Sequence, residues 1–164
     1  MQLLSSFSLS VARLLLRYAA ISATLWRFGG KRMGVHMENI MTEKAPAAIG
    51  PYSQAVAYGD LVFASGQIPV DPATGMVVEG EIVEQTEQVL ENMEAVLVAS
   101  GSGMDHILKA TVFIRNMKEF ATINRIYAEH CKGEILPARS VVEVSALPKG
   151  VLIEMEAIAI RGRI

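Results

Sequence analysis

Arg139, in Leu136-Pro137-Ala138-Arg139-Ser140, opens an otherwise apolar strand-like run, and two carboxylates recur in Ile153-Glu154-Met155-Glu156-Ala157. A guanidinium fork binds a carboxylate through two parallel hydrogen bonds, and a nearby Glu can accept a proton from water. Small-acid chemistry is the first expectation. Strand alternation puts Arg139, Val141 and Glu143 on one face, and Leu152, Glu154, Glu156, Ile158 and Ile160 on one face of the last run. The wholly apolar alternate sets belong beneath helices, which assigns the charged sets to the other face of the sheet. If a tight return pairs Val144 with Val151, Arg139 lies opposite Glu156 and diagonal to Glu154. The ordinary reading of that register is a cross-strand ion pair worth under about 1 kcal/mol. The alternative is a ligand clamp, favoured by a second Glu that one Arg cannot neutralise. Asn124, on a helical stripe with Met117, Phe120 and Tyr127, adds an amide that needs partners if it is buried.

Other chemistries lack their residues. Cys131 is the single cysteine, which leaves no internal disulfide and no multi-cysteine metal site. His130 beside it points about 100° away on a helix, so the two do not converge as a nucleophile and base; Cys131 reads as a helix-end residue without a chemical role. His36 and His106 have no second ligand at metal spacing, and no metal is expected.

The elements that position these residues follow from periodicity. Segments 55–58 and 61–65 flank Gly59-Asp60, a tight hairpin signal. A loop punctuated by Pro69, Pro72 and Gly75 follows. Over 81–100 the residues Ile82, Thr86, Val89, Leu90, Met93, Val96 and Leu97 recur every three or four positions, an amphipathic helix ended by Gly101. A strand over 108–114, a helix over 117–131 and strands over 138–144 and 152–160 complete the order β-β-α-β-α-β-β. This is a two-layer α+β domain. One face of such a sheet is left uncovered by its own chain, and symmetric self-association buries it economically.

Charge divides the chain. The first 37 residues hold five bases and no acid, whereas the remainder holds ten Lys/Arg against seventeen Asp/Glu. An acidic body has little general attraction for phosphate backbones, so no nucleic-acid partner is expected. Residues 1–40 read as a leader outside the fold, with 41–164 as the domain. An acid-free segment rich in Ser, Leu and Arg fits a transit peptide; an extraneous extension, with Met33, Met37 or Met41 as a later start, fits as well. A membrane anchor fits less well, because Arg13 and Arg17 interrupt its apolar stretch.

The run Ala45-Pro46-Ala47-Ala48-Ile49-Gly50-Pro51-Tyr52-Ser53-Gln54-Ala55, then Ser65-Gly66-Gln67-Ile68-Pro69, Asp71-Pro72-Ala73-Thr74-Gly75, Phe120-Ala121-Thr122-Ile123-Asn124 and the two segments around Arg139 and Glu154 closely resemble the reactive-intermediate deaminase (Rid, or YjgF) family, in its RidA branch. The resemblance runs in order from about Thr42 to Ile160. It implies a chorismate-mutase-like fold in a homotrimer with a central β-barrel and three clefts between subunits. It also implies hydrolysis of 2-imino acids such as 2-iminobutanoate and 2-iminopropanoate to 2-oxo acids and ammonia, without a cofactor, protecting pyridoxal-phosphate enzymes from damage. By the same resemblance Arg139 would clamp the substrate carboxylate and Glu154 would position or activate water. Tyr52 and Asn124 would line the cleft, and Ser65 with the Gly66 backbone would help hold the substrate. Val141 stands where many relatives carry Cys, so no thiol is expected in the cleft wall. Glu156 keeps only a role as a partner of the Arg or of a loop. The implied location is cytoplasmic without a membrane partner, or a mitochondrion or plastid if residues 1–40 are a true transit peptide.

Two rival functions remain in the sequence. An endoribonuclease that inhibits translation calls for a basic groove and a His or Lys acid/base pair. A non-catalytic trimer that binds small acids calls for the clamp alone.

Overall fold

In the computed structural model, residues 36–162 are described; the leader assigned to 1–40 lies outside the described residues except for its end. That end belongs to the sheet. Strand β1, Met37–Ile40, pairs antiparallel with β2, Ala55–Tyr58, so the expected boundary at residue 40 cuts off one strand. Only Ile40 of its four side chains is buried, which leaves no alternation to read. The two-residue turn at Gly59-Asp60, with Gly59 at φ 62°, returns β2 into β3, Leu61–Gln67, pairing Tyr58 with Leu61 as the hairpin signal implies.

Helix α1, Ile82–Ala99, buries all seven residues of the expected stripe. It starts on a reciprocal cap in which Glu84 Oε2 accepts from the Glu81 N–H at 2.9 Å, and it gives way to Gly101 at φ 75°. β4, Ile107–Ile114, leads through a single 3-10 turn to α2, Phe120–His130, and then to β5, Ala138–Glu143, and β6, Ile153–Ile160. The sheet order is β1-β2-β3-β6-β4-β5. The crossovers β3-α1-β4 and β4-α2-β5 step the same way across the sheet, so a shared right-handed sense lays both helices on one face. Between sheet and helices lies the core, including Val89, Leu90, Met93, Ile114, Ile126 and Met155. The α+β architecture is the one read from the sequence, with one strand added.

The strand partners of the last two runs differ from the expectation. β5 pairs in parallel with β4, while β6 lies antiparallel between β3 and β4, so Arg139 faces Ala110 rather than Glu156. The crossover through α2 fixes β5 as a parallel neighbour of β4. The segment 144–152 is no tight return: its Pro148–Gly150 turn, with Lys149 at φ 56° and Gly150 at φ 71°, carries the chain past β4. The register has a consequence for faces. Arg139 aligns with the buried Ala110 and Ala157 on the helix side, whereas Glu154 and Glu156 align with Phe113 and Thr111 on the open side. The assignment of all charged sets to the open face therefore holds for β6 and fails for β5. β5 is an edge strand, so a long cationic side chain on its helix side stays only partly buried.

The open face carries Leu61, Phe63, Phe113, Val142 and Ile158 beside Lys109, Thr111, Glu154 and Glu156, with Phe63 44% and Val142 42% exposed. Leu61, Phe63 and Val142 are exposed there, and Phe113 and Ile158 are partly so.

Candidate functional site

Candidate residues gather in two groups, one on each face of the sheet. On the helix side, Arg139 rises half-buried from β5 against α2. Its Nη2 donates to Asn124 Oδ1 at 2.5 Å, and its guanidinium carbon lies 4.4 Å from the centre of the Tyr127 ring and 6.0 Å from that of Phe120. Phe120, Asn124 and Tyr127 stand at i, i+4 and i+7, so one face of α2 meets the guanidinium. Of the two places open to Asn124, the structure shows the exposed one, and Ile123, Ile126 and Tyr127 are the buried residues of the helix. The expected ion pair is also missing, for Arg139 has no carboxylate partner among the described residues. Val141, two positions on, is half-buried on the same face.

Beneath the stack, burial raises the Tyr127 phenol well above its ordinary range, and the neighbouring Cys131 reinforces the shift. Burial likewise pushes the Cys131 thiol up, against weaker lowering by Tyr127 and Arg139. A thiol held protonated by burial is a poor nucleophile.

On the open side, a cleft of about 430 Å³ is lined by Ile49, Tyr52, Ser65, Gly66, Ile68, Pro148, Glu154 and Glu156. A bulge in β3 builds it: Ala64 pairs with Ala157 and Gln67 with Met155, so Ser65 and Gly66 together oppose one residue of β6. Gly66 is there for space. A Cβ at this position would lie 2.9 Å from Glu154 Cδ and overlap the carboxylate oxygen, so only glycine lets the Glu154 side chain lie across the strand. Ser65 donates its hydroxyl to the Ser53 carbonyl at 2.7 Å and its N–H to the Gln54 carbonyl at 3.0 Å. Tyr52 is half exposed, its hydroxyl accepting from the Ile49 N–H at 3.4 Å. Desolvation raises the Glu154 pKa, and the charge of Glu156 adds to the rise.

Several supporting residues are absent from the sequence reading. Buried Gln54 accepts from the Thr42 N–H at 2.8 Å and donates to the carbonyls of Thr42 and Pro46, tying the segment before Tyr52 to β2. Buried Asn92 donates to the carbonyls of Ile68 and Val70, and buried Gln85 accepts from the Leu152 N–H, so α1 holds both chains that flank the cleft. The signal available was a polar residue inside an apolar helical stripe.

The structure thus brings Tyr52, Ser65, Gly66 and Glu154 together, and separately Arg139, Asn124 and Val141. It does not bring Arg139 and Glu154 into one cleft of a single chain, because β4 and the thickness of the sheet separate them. Among the described residues no cluster of three or more His, Cys, Asp or Glu could hold a metal, and no helix is long and apolar enough to cross a membrane.

The α+β domain thus carries on one face an arginine with no carboxylate partner among the described residues and on the other a desolvated carboxylate. The chain belongs to the endoribonuclease L-PSP family, also known as the YjgF/RidA family, whose model matches residues 42–161. It is 55% identical over 122 residues to a RutC family protein of Pyrococcus horikoshii, covering 74% of this chain and 96% of the relative. It is 51% identical over 128 residues to the 2-iminobutanoate/2-iminopropanoate deaminase of Salmonella typhimurium, covering 76% and 98%. The crystal structure of Escherichia coli TdcF with bound serine superposes with a TM-score of 0.71 at 46% identity, covering 76% of this chain and 99% of that one.

Proposed function

We propose that the protein hydrolyses reactive 2-imino acids, 2-iminobutanoate and 2-iminopropanoate among them, to 2-oxo acids and ammonia, and so spares pyridoxal-phosphate enzymes from attack by these imines. The observation that carries this reading is the Arg139 guanidinium, which is stacked, oriented by Asn124 and without a carboxylate of its own among the described residues. A fixed cation with free donors suits the carboxylate of a small acid. The deaminase relative supports the substrate class, and the serine in TdcF is a molecule of the same size and charge type.

The two partial sites complete each other in a homotrimer. The exposed apolar residues of the open face are the surface such an assembly buries around a central barrel, and each of three clefts would join the Arg139 group of one subunit to the Glu154 group of the next. There, Arg139 with Asn124 holds the substrate carboxylate, while Tyr52, Ser65 and Gly66 form the opposing wall and Val141 an inert apolar patch. Water adds to C2 of the protonated imine as the Glu154 carboxylate accepts its proton. The same proton then passes to the amine nitrogen of the carbinolamine; as the C–N bond breaks and ammonia leaves, the Glu154 carboxylate takes the hydroxyl proton, the carbonyl forms, and that proton goes on to the departing ammonia as ammonium. Positioning and one proton shuttle suffice because the protonated imine is already electrophilic. The scheme calls for no cofactor.

The test is a coupled assay in which a pyridoxal-phosphate dehydratase generates the imine and 2-oxo acid release is followed. Catalytic amounts of the protein should raise the hydrolysis rate by roughly 10²-fold or more, the scale of general acid–base catalysis. Tight binding of 2-oxobutanoate with no acceleration would instead support the non-catalytic binder, and degradation of RNA that survives purification would support the ribonuclease. Gly66→Ala sharpens the assay: the methyl group displaces the Glu154 carboxylate, and kcat should fall at least about tenfold by loss of a positioned base. An organellar location would call for cleavage of a leader ahead of β1, and a mature N-terminus, read by mass, that matches none of Met1, Met33, Met37 and Met41 would support it over the cytoplasmic one.

A further inference from the structure

We propose that Tyr127 is the positioning residue of the Arg139 clamp, acting through the face of its ring; the inference rests on the carboxylate-binding role of Arg139. Arg139 stands on an edge strand, half-buried, with no ion pair to its own chain among the described residues. A free arginine side chain there samples many rotamers, and ordering it on binding costs affinity. Two contacts limit that freedom. Asn124 takes one N–H of Nη2 and fixes a single point of the fork, but Asn124 is itself exposed. The Tyr127 ring, 4.4 Å from the guanidinium carbon and only 7% exposed, is the rigid surface on which the planar group rests. Phe120, at 6.0 Å and 40% exposed, lies at the limit of such a contact.

The hydroxyl of Tyr127 does not share this work. It is buried and makes no geometrically sound hydrogen bond, the Cys131 thiol beside it being at best a weak partner. Ring and hydroxyl therefore separate experimentally: Tyr127→Phe keeps the stacking surface, and Tyr127→Leu keeps apolar bulk while removing the π face.

Calorimetric titration of the full chain with 2-oxobutanoate, a stable product that carries the same carboxylate, reads the effect directly. Tyr127→Leu should weaken the Kd by about 5- to 30-fold, the range of a partly desolvated cation–π contact, and Tyr127→Phe should stay within about twofold of the unaltered protein. In the coupled assay the loss should appear in KM with kcat largely retained, because the clamp holds a carboxylate present in ground and transition states alike. A residue that merely fills the core would lower the melting temperature without moving Kd, and an unchanged Kd in Tyr127→Leu overturns the proposal. The unaltered protein provides a check that needs no folded variant: the Arg139 guanidinium N–H resonances should show a ring-current shift, and their appearance at solvent-exposed positions also overturns it. Arg139→Ala serves as the control. If it still binds 2-oxobutanoate normally, the carboxylate-clamp reading itself fails; if it does not and Tyr127→Leu does, only the role of Tyr127 fails.

Discussion

Replacing Arg139 with alanine is expected to lower kcat/KM for imine hydrolysis by roughly 10²- to 10³-fold, within the range for truncating one partner of a hydrogen-bonded charge pair. The loss should fall on function and spare the fold. Arg139 forms no ion pair with its own chain among the described residues, and its one side-chain hydrogen bond goes to the exposed Asn124. Its removal leaves no buried carboxylate stranded, which is the usual source of a large stability penalty. The melting temperature and the sedimenting mass should therefore stay close to those of the unaltered protein. Arg139→Lys should recover only part of the activity, since an ammonium neither presents a planar fork nor stacks as a plane on Tyr127. Coupled dehydratase assays beside sedimentation of the same samples make the comparison. Undiminished activity in Arg139→Ala would sink the assignment of the clamp.

What could be read without coordinates was whatever is local. The α1 stripe and the Gly59-Asp60 hairpin depend on residues a few positions apart, and both stand in the structure as read. The partners of β5 and β6 depend instead on the crossover that precedes β5, and alternation along a strand carries no information about which neighbour it meets. Assuming a hairpin between adjacent strands put Arg139 against Glu156; the intervening β4 separates them and turns them to opposite faces. A buried place for Asn124 falls away for a related reason. Helical spacing correctly grouped it with Phe120 and Tyr127, but that stripe points to the edge strand and its arginine, while the core takes Ile123 and Ile126. Gly66 was legible as a motif residue, yet its physical reason, clearance for the Glu154 side chain, needs the bulge in β3.

Glu154→Gln should separate stability from activity. The residue is partly buried beside Glu156, and both desolvation and that like charge raise its pKa. A carboxyl whose pKa is higher in the folded than in the unfolded chain binds its proton more tightly when folded, so stability falls as pH rises from the unfolded value through the folded one. At neutral pH the ionised Glu154 therefore weighs against the fold, and glutamine, which cannot ionise, relieves it. Thermal melts should show Glu154→Gln melting above the unaltered protein at pH 7, with the difference shrinking as pH drops below about 4, where the carboxyl is protonated in both states. Activity should move the other way, by about 10²-fold or more in kcat, because an amide cannot accept the proton of the attacking water. The same shift moves the acid limb of the pH–rate profile up from the ordinary glutamate value. Glu156→Gln, which removes the neighbouring charge, should move that limb to lower pH while leaving the plateau rate in place. A limb that stays fixed in Glu156→Gln, or full activity in Glu154→Gln, would remove Glu154 as the base.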